Sequence, residues 1–340
     1  MFLLMSICGV MFVVFSSGLF GVWVGLEIGF FGFLPILNGK AVIENEGAVK
    51  YFIVQGVGSA VMLLSFLLIM GDKFLMFGGF SAEVLVDVMM ISGFMIKLGV
   101  FPFHFWFPSV MGSSSWLSCF WLSVVQKVGP LWGLSGLGLS SMMFNMFGWF
   151  LVVTSVVGAF GGLAQVQFRP LLAYSSLGQS GWMGLVAMVD LQVFIIYMVL
   201  YSVLLGGLLS CLNVMSAYKI GDTANWAGKN GLFFWVFSGG FFVSLSGLPP
   251  LVGSALKLVG VLVLLPKFPV LVVILIFSSM VSLYYYLCMF ISSVVCLGGS
   301  GFVLSEVVSN DGVGFVVLMT SLMNWVGGVP LFTVCGLFSG

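Results

Sequence analysis

Apolar stretches of about 20 residues follow one another along nearly the whole chain, the length an α-helix needs to cross the hydrocarbon core of a bilayer. A chain built this way folds as a membrane protein. Of its 340 residues 61% are hydrophobic and 6% charged, where a soluble domain carries roughly 25% charged residues. Little chain is left between the stretches, which excludes a large soluble catalytic domain. The fold class expected is an all-α polytopic membrane protein.

Polar punctuation divides the chain into about eleven spans: 2–20, 22–39, 48–70, 84–112, 115–137, 142–164, 172–189, 191–216, 231–264, 269–296 and 313–336. Two are too long for simple helices. The fourth is interrupted at Gly99-Val100-Phe101-Pro102 and the ninth at Gly247-Leu248-Pro249-Pro250. Proline supplies no N–H and clashes with the carbonyl four residues back, so both helices should break there and leave carbonyls unpaired at membrane depth. Each break falls in the fourth member of a set of five spans. An odd number of spans inverts the second copy, so residues 1–137 and 142–296 are expected to form two inverted repeats, with 313–336 an added helix.

Ten basic and ten acidic residues cancel without any basic run, so neither nucleic acid nor an anionic lipid surface is indicated as a partner. Six scattered cysteines, Cys8, Cys119, Cys211, Cys288, Cys296 and Cys335, show no metal-binding spacing and read as small membrane-facing hydrophobes. With a single histidine, His104, the chain is expected to hold no haem, iron-sulfur cluster, zinc or other redox centre of its own. The first span has neither a basic n-region nor a cleavage site, and is expected to be a mature span. Threonine occurs only at positions 154, 223, 320 and 333, while Phe, Gly, Val, Met and Trp abound. This skew fits a T- and G-rich organellar genome. Loops on the N-terminal side hold Lys40, Lys50, Arg169, Lys219 and Lys229, against Lys73 and Lys267 on the other, so the N-terminus is expected to face the matrix or cytoplasm.

Four ionisable residues stand inside expected spans: Glu27, Lys97, Lys127 and Lys257. Each costs at least ~2.5 to 3.5 kcal/mol at the bilayer centre. Lys97 precedes the first break by about one turn, Lys257 follows the second by two, and Lys127 is followed by Gly129-Pro130. A lysine between an apolar wall and a carboxylate can load and release protons; the alternatives are structural ion pairs and side chains snorkelling to an interface. His104, just past a break, reads equally as a relay and as a packed residue. The aromatic run around it reads as helix packing, and Tyr284-Tyr285-Tyr286 as an interfacial anchor.

These residues lie in stretches that closely resemble the subunit 2 family of mitochondrial NADH:ubiquinone oxidoreductase (complex I), counterpart of bacterial subunit N. The stretches are Trp23-Val-Gly-Leu-Glu27 through Leu34-Pro35, Ala48-Val-Lys-Tyr-Phe52 with Gln55, Lys97-Leu-Gly99 with Pro102-Phe-His-Phe-Trp106, and Gln126-Lys127. Further along come Gly161-Gly-Leu163, Leu172-Ala-Tyr-Ser-Ser176, Gly181-Trp-Met183 and Gly247-Leu-Pro-Pro-Leu251 with Gly253 and Lys257. The resemblance implies an antiporter-like, proton-translocating subunit of the membrane arm in the mitochondrial inner membrane, its N-terminus on the matrix side. It implies that Glu27 pairs with Lys97, that Lys127 is the central relay, and that Lys257 ends the second half-channel. NAD, FMN, iron-sulfur clusters and ubiquinone would be bound elsewhere in the complex, and the partners would be other membrane-arm subunits, lipid and protons. Animal members lack three N-terminal spans of the bacterial subunit, which eleven spans fit. Three stretches depart from the pattern: Pro170 after Arg169, Ser113-Ser114-Ser115 in place of Gly-Thr-Pro, and Gln179 where many members have histidine. Without that histidine the implied path runs through the hydrated lysines.

Two other functions share these features. A free-standing cation/proton antiporter would carry the same lysines and broken helices. A structural scaffold of the membrane arm would keep supporting coupled respiration after neutral replacement of the lysines.

Overall fold

Peptide groups in hydrocarbon find no water, so an apolar run is stable there when each N–H reaches a carbonyl of its own segment, as in an α-helix. Among its described residues the computed structural model is 87% helical and holds no strand. These are 1–39, 41–70, 80–137, 140–215, 218–219, 231–249, 251–299, 319–325 and 327–328. In chain order the helices are α1 (Phe2–Phe15), α2 (Leu19–Leu37), α3 (Val42–Met70), α4 (Phe80–Leu98), α5 (Trp106–Ser113) and α6 (Trp116–Phe120). A π-helical turn (Trp121–Val125) leads into α7 (Gln126–Ser135), then α8 (Ser141–Leu163), α9 (Phe168–Val189), α10 (Leu191–Met215), α11 (Gly231–Ser246), α12 (Val252–Leu264) and α13 (Pro269–Gly299). Residues 319–325 and 327–328 are also helical. Among the described residues, five helices are long and apolar enough to cross a membrane: Leu19–Leu37, Val42–Ile69, Ser141–Leu163, Leu191–Val214 and Pro269–Ile291.

The chain divides into two compact units. Unit 1 comprises Met1–Val157 and Gln179–Leu191; unit 2 comprises Gly158–Gly178 and Gln192–Gly340. Within unit 1, α1 and α2 approach through glycines: a Cβ on Gly9 would lie 2.3 Å from the Gly29 nitrogen, and one on Gly32 would lie 2.6 Å from the Ser6 nitrogen. Such contact replaces the hydrophobic drive that helices lack in lipid with close backbone packing. Large apolar side chains remain exposed along α3, among them Ile53, Val57, Leu64 and Leu67, a face that suits hydrocarbon and not water.

Both expected breaks are present, and both are built alike. In unit 1, α4 stops at Leu98 and Gly99 takes φ +70°. The Gly99 N–H then donates to the Ile96 carbonyl (3.3 Å) and the Val100 N–H to the Met95 carbonyl (2.9 Å). In unit 2, α11 stops at Ser246, Gly247 takes φ +89°, and the N–H groups of Gly247 and Leu248 donate to the carbonyls of Ser244 (2.9 Å) and Val243 (3.5 Å). Each is a Schellman cap, which needs a residue in the left-handed region and so favours glycine.

Several expectations need correction. The first helix ends at Phe15, short of residue 20. The stretch 115–137 is not one regular helix, because the π-helical turn offsets α7 from α6. Cys119 and Cys211 are buried, whereas Cys8 and Cys288 are exposed. Tyr285 and Tyr286 are buried as well, leaving Tyr284 alone exposed in the run. Pro170, the departure after Arg169, falls in the first turn of α9, where the missing N–H has no helical partner to lose. Ser115, from the departing serine run, caps α6 by accepting the Ser118 N–H (3.3 Å). Lys40, Lys73, Lys229, Pro250, Cys335 and most of the expected span 313–336 lie outside the described residues.

Candidate functional site

The last turn of α4 carries Lys97, where the partial negative charge of a helix C-terminus favours a cation. Its Nζ lies 2.9 Å from Glu27 Oε1 on α2, and the two side chains are 3% and 16% exposed. An isolated charge at such burial would cost several kcal/mol, so removing either partner is far costlier than at a surface pair, about 3–5 kcal/mol against 0–1. Beside the pair, the break's exposed backbone groups do not stay unpaired. Gln55 on α3 donates its amide to the Lys97 carbonyl (3.2 Å), and the Trp106 indole donates to the Ile96 carbonyl (3.1 Å). The Phe101 N–H donates to the Thr154 hydroxyl (2.9 Å).

Lys127 opens α7 directly after the π-helical turn; it is buried, with Nζ 4.5 Å from the centroid of the Phe107 ring. A cation over an aromatic face gains quadrupole attraction that grows as water is excluded. Between Lys97 and Lys127 lies a cavity of ≈ 20 Å³, walled by apolar groups such as Leu26, Phe30 and Leu122 and also lined by Tyr51, Gln55 and Gln126. Tyr51 donates its hydroxyl to Gln126 Oε1 (3.3 Å), and the Gln126 amide donates to the Gly29 carbonyl (3.2 Å). Thus Glu27, Lys97 and Lys127 gather in unit 1.

His104 sits past the break in unit 1 with its ring packed on Phe101 (centroids 6.0 Å apart) and Phe105 (4.0 Å), and it does not line the cavity. Asp87, an acid within the expected fourth span beyond the four charges named above, is only partly buried and lies ten residues before Lys97 on α4. In unit 2, Lys257 belongs to the second turn of α12 and donates Nζ to the Ser246 carbonyl (2.5 Å) at the end of α11. Gly247 makes room for it: a Cβ there would come within 2.8 Å of Lys257 Nζ. Asn324, from the last helical residues, donates its amide to the Gly240 carbonyl (3.1 Å).

The pattern of the family described as NADH:quinone oxidoreductase/Mrp antiporter, TM, matches residues 16–283, which takes in Glu27, Lys97, Lys127 and Lys257. The chain belongs to this family. It is an antiporter-like membrane subunit of the complex I chain 2 type. NADH-ubiquinone oxidoreductase chain 2 of Locusta migratoria is 32% identical over 300 residues, covering 87% of this chain and 85% of that one. Its counterpart in Lumbricus terrestris is 34% identical over 276 residues, 80% and 79% of the two chains. Among solved structures, a chain of respiratory complex I from Thermus thermophilus with bound aureothin superposes with a TM-score of 0.81 at 21% identity, covering 98% of this chain and 78% of that chain. A chain of the Mrp complex from Dietzia sp. DQ12-45-1b reaches 0.78 at 14% identity, with coverages of 98% and 75%. At such identities these two show a shared fold.

Tyr51, Gln55 and Gln126 are site residues whose part the sequence did not reveal. Their signal was their place in the family stretches, each a polar side chain close to a charge. Thr154 and Asn324 gave no comparable signal beyond being polar within an apolar run.

Proposed function

We propose that the chain translocates protons across the mitochondrial inner membrane as part of complex I, driven by NADH oxidation by ubiquinone elsewhere in the assembly. The observation that carries this reading is the buried Lys97–Glu27 pair at a helix break, with a polar-lined cavity leading from it to Lys127. A carboxylate, a lysine that it holds, and a second lysine set over an aromatic ring form a sequence of sites whose affinity for a proton differs and responds to neighbouring charge. In this reading Lys97 loads, Lys127 relays and Lys257 is the terminal group of the second half-channel. His104, walled by aromatic rings, is at most a peripheral relay.

The reading includes two inverted five-helix repeats, residues 1–137 and 142–296, with an eleventh helix at 313–336 and the N-terminus on the matrix side. The repeated Schellman break supports the repeats, and the excess of Lys and Arg in loops of the N-terminal side supports the orientation. The chain's partners are other membrane-arm subunits and lipid. NAD, FMN, iron-sulfur clusters and ubiquinone are assigned to the rest of the complex.

Lys127→Met tests the function. It keeps length and apolar packing while removing the titratable amine, so a scaffold would assemble and pump normally. A relay predicts normal assembly on a native gel, impaired pumping into vesicles and slowed NADH oxidation. Full pumping by the assembled variant would return the chain to a scaffold role.

A further inference from the structure

Three residues in the stretches shared with the family, Tyr51, Gln55 and Gln126, have no role in the lysine sequence above, yet all three line the cavity between Lys97 and Lys127. Tyr51 and Gln55 stand four residues apart on α3 and so share one face of the helix. Gln126 is the immediate neighbour of Lys127. An ammonium group has donors and no acceptor, whereas a neutral amine accepts a hydrogen bond. Where a cavity separates the two, a group that accepts on one side and donates on the other can carry the proton across. A cavity of ≈ 20 Å³ has room for one water, which needs about 2–4 polar partners to stay. The Tyr51 hydroxyl, which keeps acceptor capacity while donating to Gln126, and the Gln126 amide, anchored to the Gly29 carbonyl, are such partners. Their placement is held from behind: the Tyr51 ring packs edge-on against Phe33 (5.2 Å between centroids) and lies 5.7 Å from Phe30 and 5.9 Å from Trp106.

We propose that Tyr51 and Gln126 are positioning residues for proton transfer between Lys97 and Lys127, holding a single water in the cavity that both lysines reach. The inference rests on the proton-translocating reading and deepens it. In the step, the Lys97 ammonium gives a proton to the water oxygen while one of the water's own protons passes to the neutral amine of Lys127. One N–H and one O–H bond break, one of each forms, and the positive charge moves from Lys97 to Lys127. Glu27 remains a carboxylate throughout and draws the next proton to Lys97.

The test uses the assembled complex in vesicles carrying Tyr51→Phe, Gln126→Met or both, with native-gel assembly, initial pumping rate and the solvent deuterium isotope effect on NADH oxidation as readouts. Each single variant should assemble and pump about tenfold more slowly, the scale of one hydrogen bond. The isotope effect should rise as proton transfer becomes limiting, and the double variant should be no slower than the slower single one, because both act on the same water. Phe147→Leu, in the buried packing of α8 and not in the cavity lining, is the structural control; it should lower assembly without raising the isotope effect. Native pumping and isotope effect in Tyr51→Phe would overturn the proposal, as would losses that add in the double variant. If either variant fails to assemble, a map of the unaltered complex sharp enough to show ordered water decides: a water bonded to the Tyr51 hydroxyl supports the assignment and an empty cavity refutes it. A pumping Lys127→Met complex defeats the proton-translocating reading itself, whereas a silent Lys127→Met beside a native Tyr51→Phe defeats this inference alone.

Discussion

The two helix breaks use one backbone device and treat their lysines in opposite ways. At Gly99 the lysine precedes the break, and its ammonium is held by the carboxylate of Glu27, while neutral donors from Gln55 and Trp106 take the exposed carbonyls. At Gly247 the lysine follows the break and is itself the donor to the exposed carbonyl of Ser246. A full charge therefore faces Lys97, whereas Lys257 faces the partial charge of a helix end, roughly half an elementary charge for the whole terminus. One cap can thus serve a lysine paired with a carboxylate or one bonded to backbone. Substitutions that remove one member at a time separate the two arrangements.

The largest effect is expected at the first break. Glu27→Gln leaves the Lys97 ammonium buried without its carboxylate, a cost of about 3–5 kcal/mol if the charge is retained. Thermal unfolding of the purified complex should show this loss, and Glu27→Gln/Lys97→Met should recover most of the stability while pumping stays impaired. Lys257→Met, in contrast, strands only a carbonyl, for about 1–3 kcal/mol. Equal destabilisation by Glu27→Gln and Lys257→Met would erase the distinction between the two breaks.

Alanine at the two glycines comes next. Both substitutions carry the left-handed backbone cost of roughly 1–2 kcal/mol. Only at Gly247 does the new Cβ also press on the lysine amine, 2.8 Å away, since at Gly99 the nearest atom is the Phe107 Cβ at 3.4 Å. Gly247→Ala should therefore impair pumping beyond its effect on stability, and Gly99→Ala in proportion to stability alone. Pumping per assembled complex, compared between the two variants, reads this directly. The smallest effect belongs to Trp106→Phe, which keeps an aromatic ring but withdraws the donor from the Ile96 carbonyl. A loss of about 1 kcal/mol is expected, visible as a slightly lower unfolding temperature with pumping near native, and a severe pumping defect would show that this carbonyl cap positions Lys97.

Much of this arrangement was legible in the chain. Hydrocarbon penalises an unpaired peptide group so heavily that each apolar run of sufficient length had one conformation open to it. It penalises charge enough that Glu27, Lys97, Lys127 and Lys257 stood out from hundreds of apolar neighbours. Glycine close to proline marked both breaks because few other residues satisfy such a cap. Local sequence misleads where neighbours decide: Tyr285 and Tyr286 have the pattern of an interfacial anchor, but helix packing buries both. The π-helical turn before Gln126 left no mark either, since its residues are ordinary helix formers.

By itself, then, the sequence determined the helices, the two interruptions and the identity of the charges, because these follow from the cost of moving single groups from water into hydrocarbon. Only the tertiary structure decided which carbonyl each donor would cap, that Lys257 would turn to Ser246, and that Tyr51 and Gln126 would meet beside a cavity. Those outcomes depend on atoms brought within about 3 Å of one another by helices far apart in the chain, and no local preference encodes a distance of that kind.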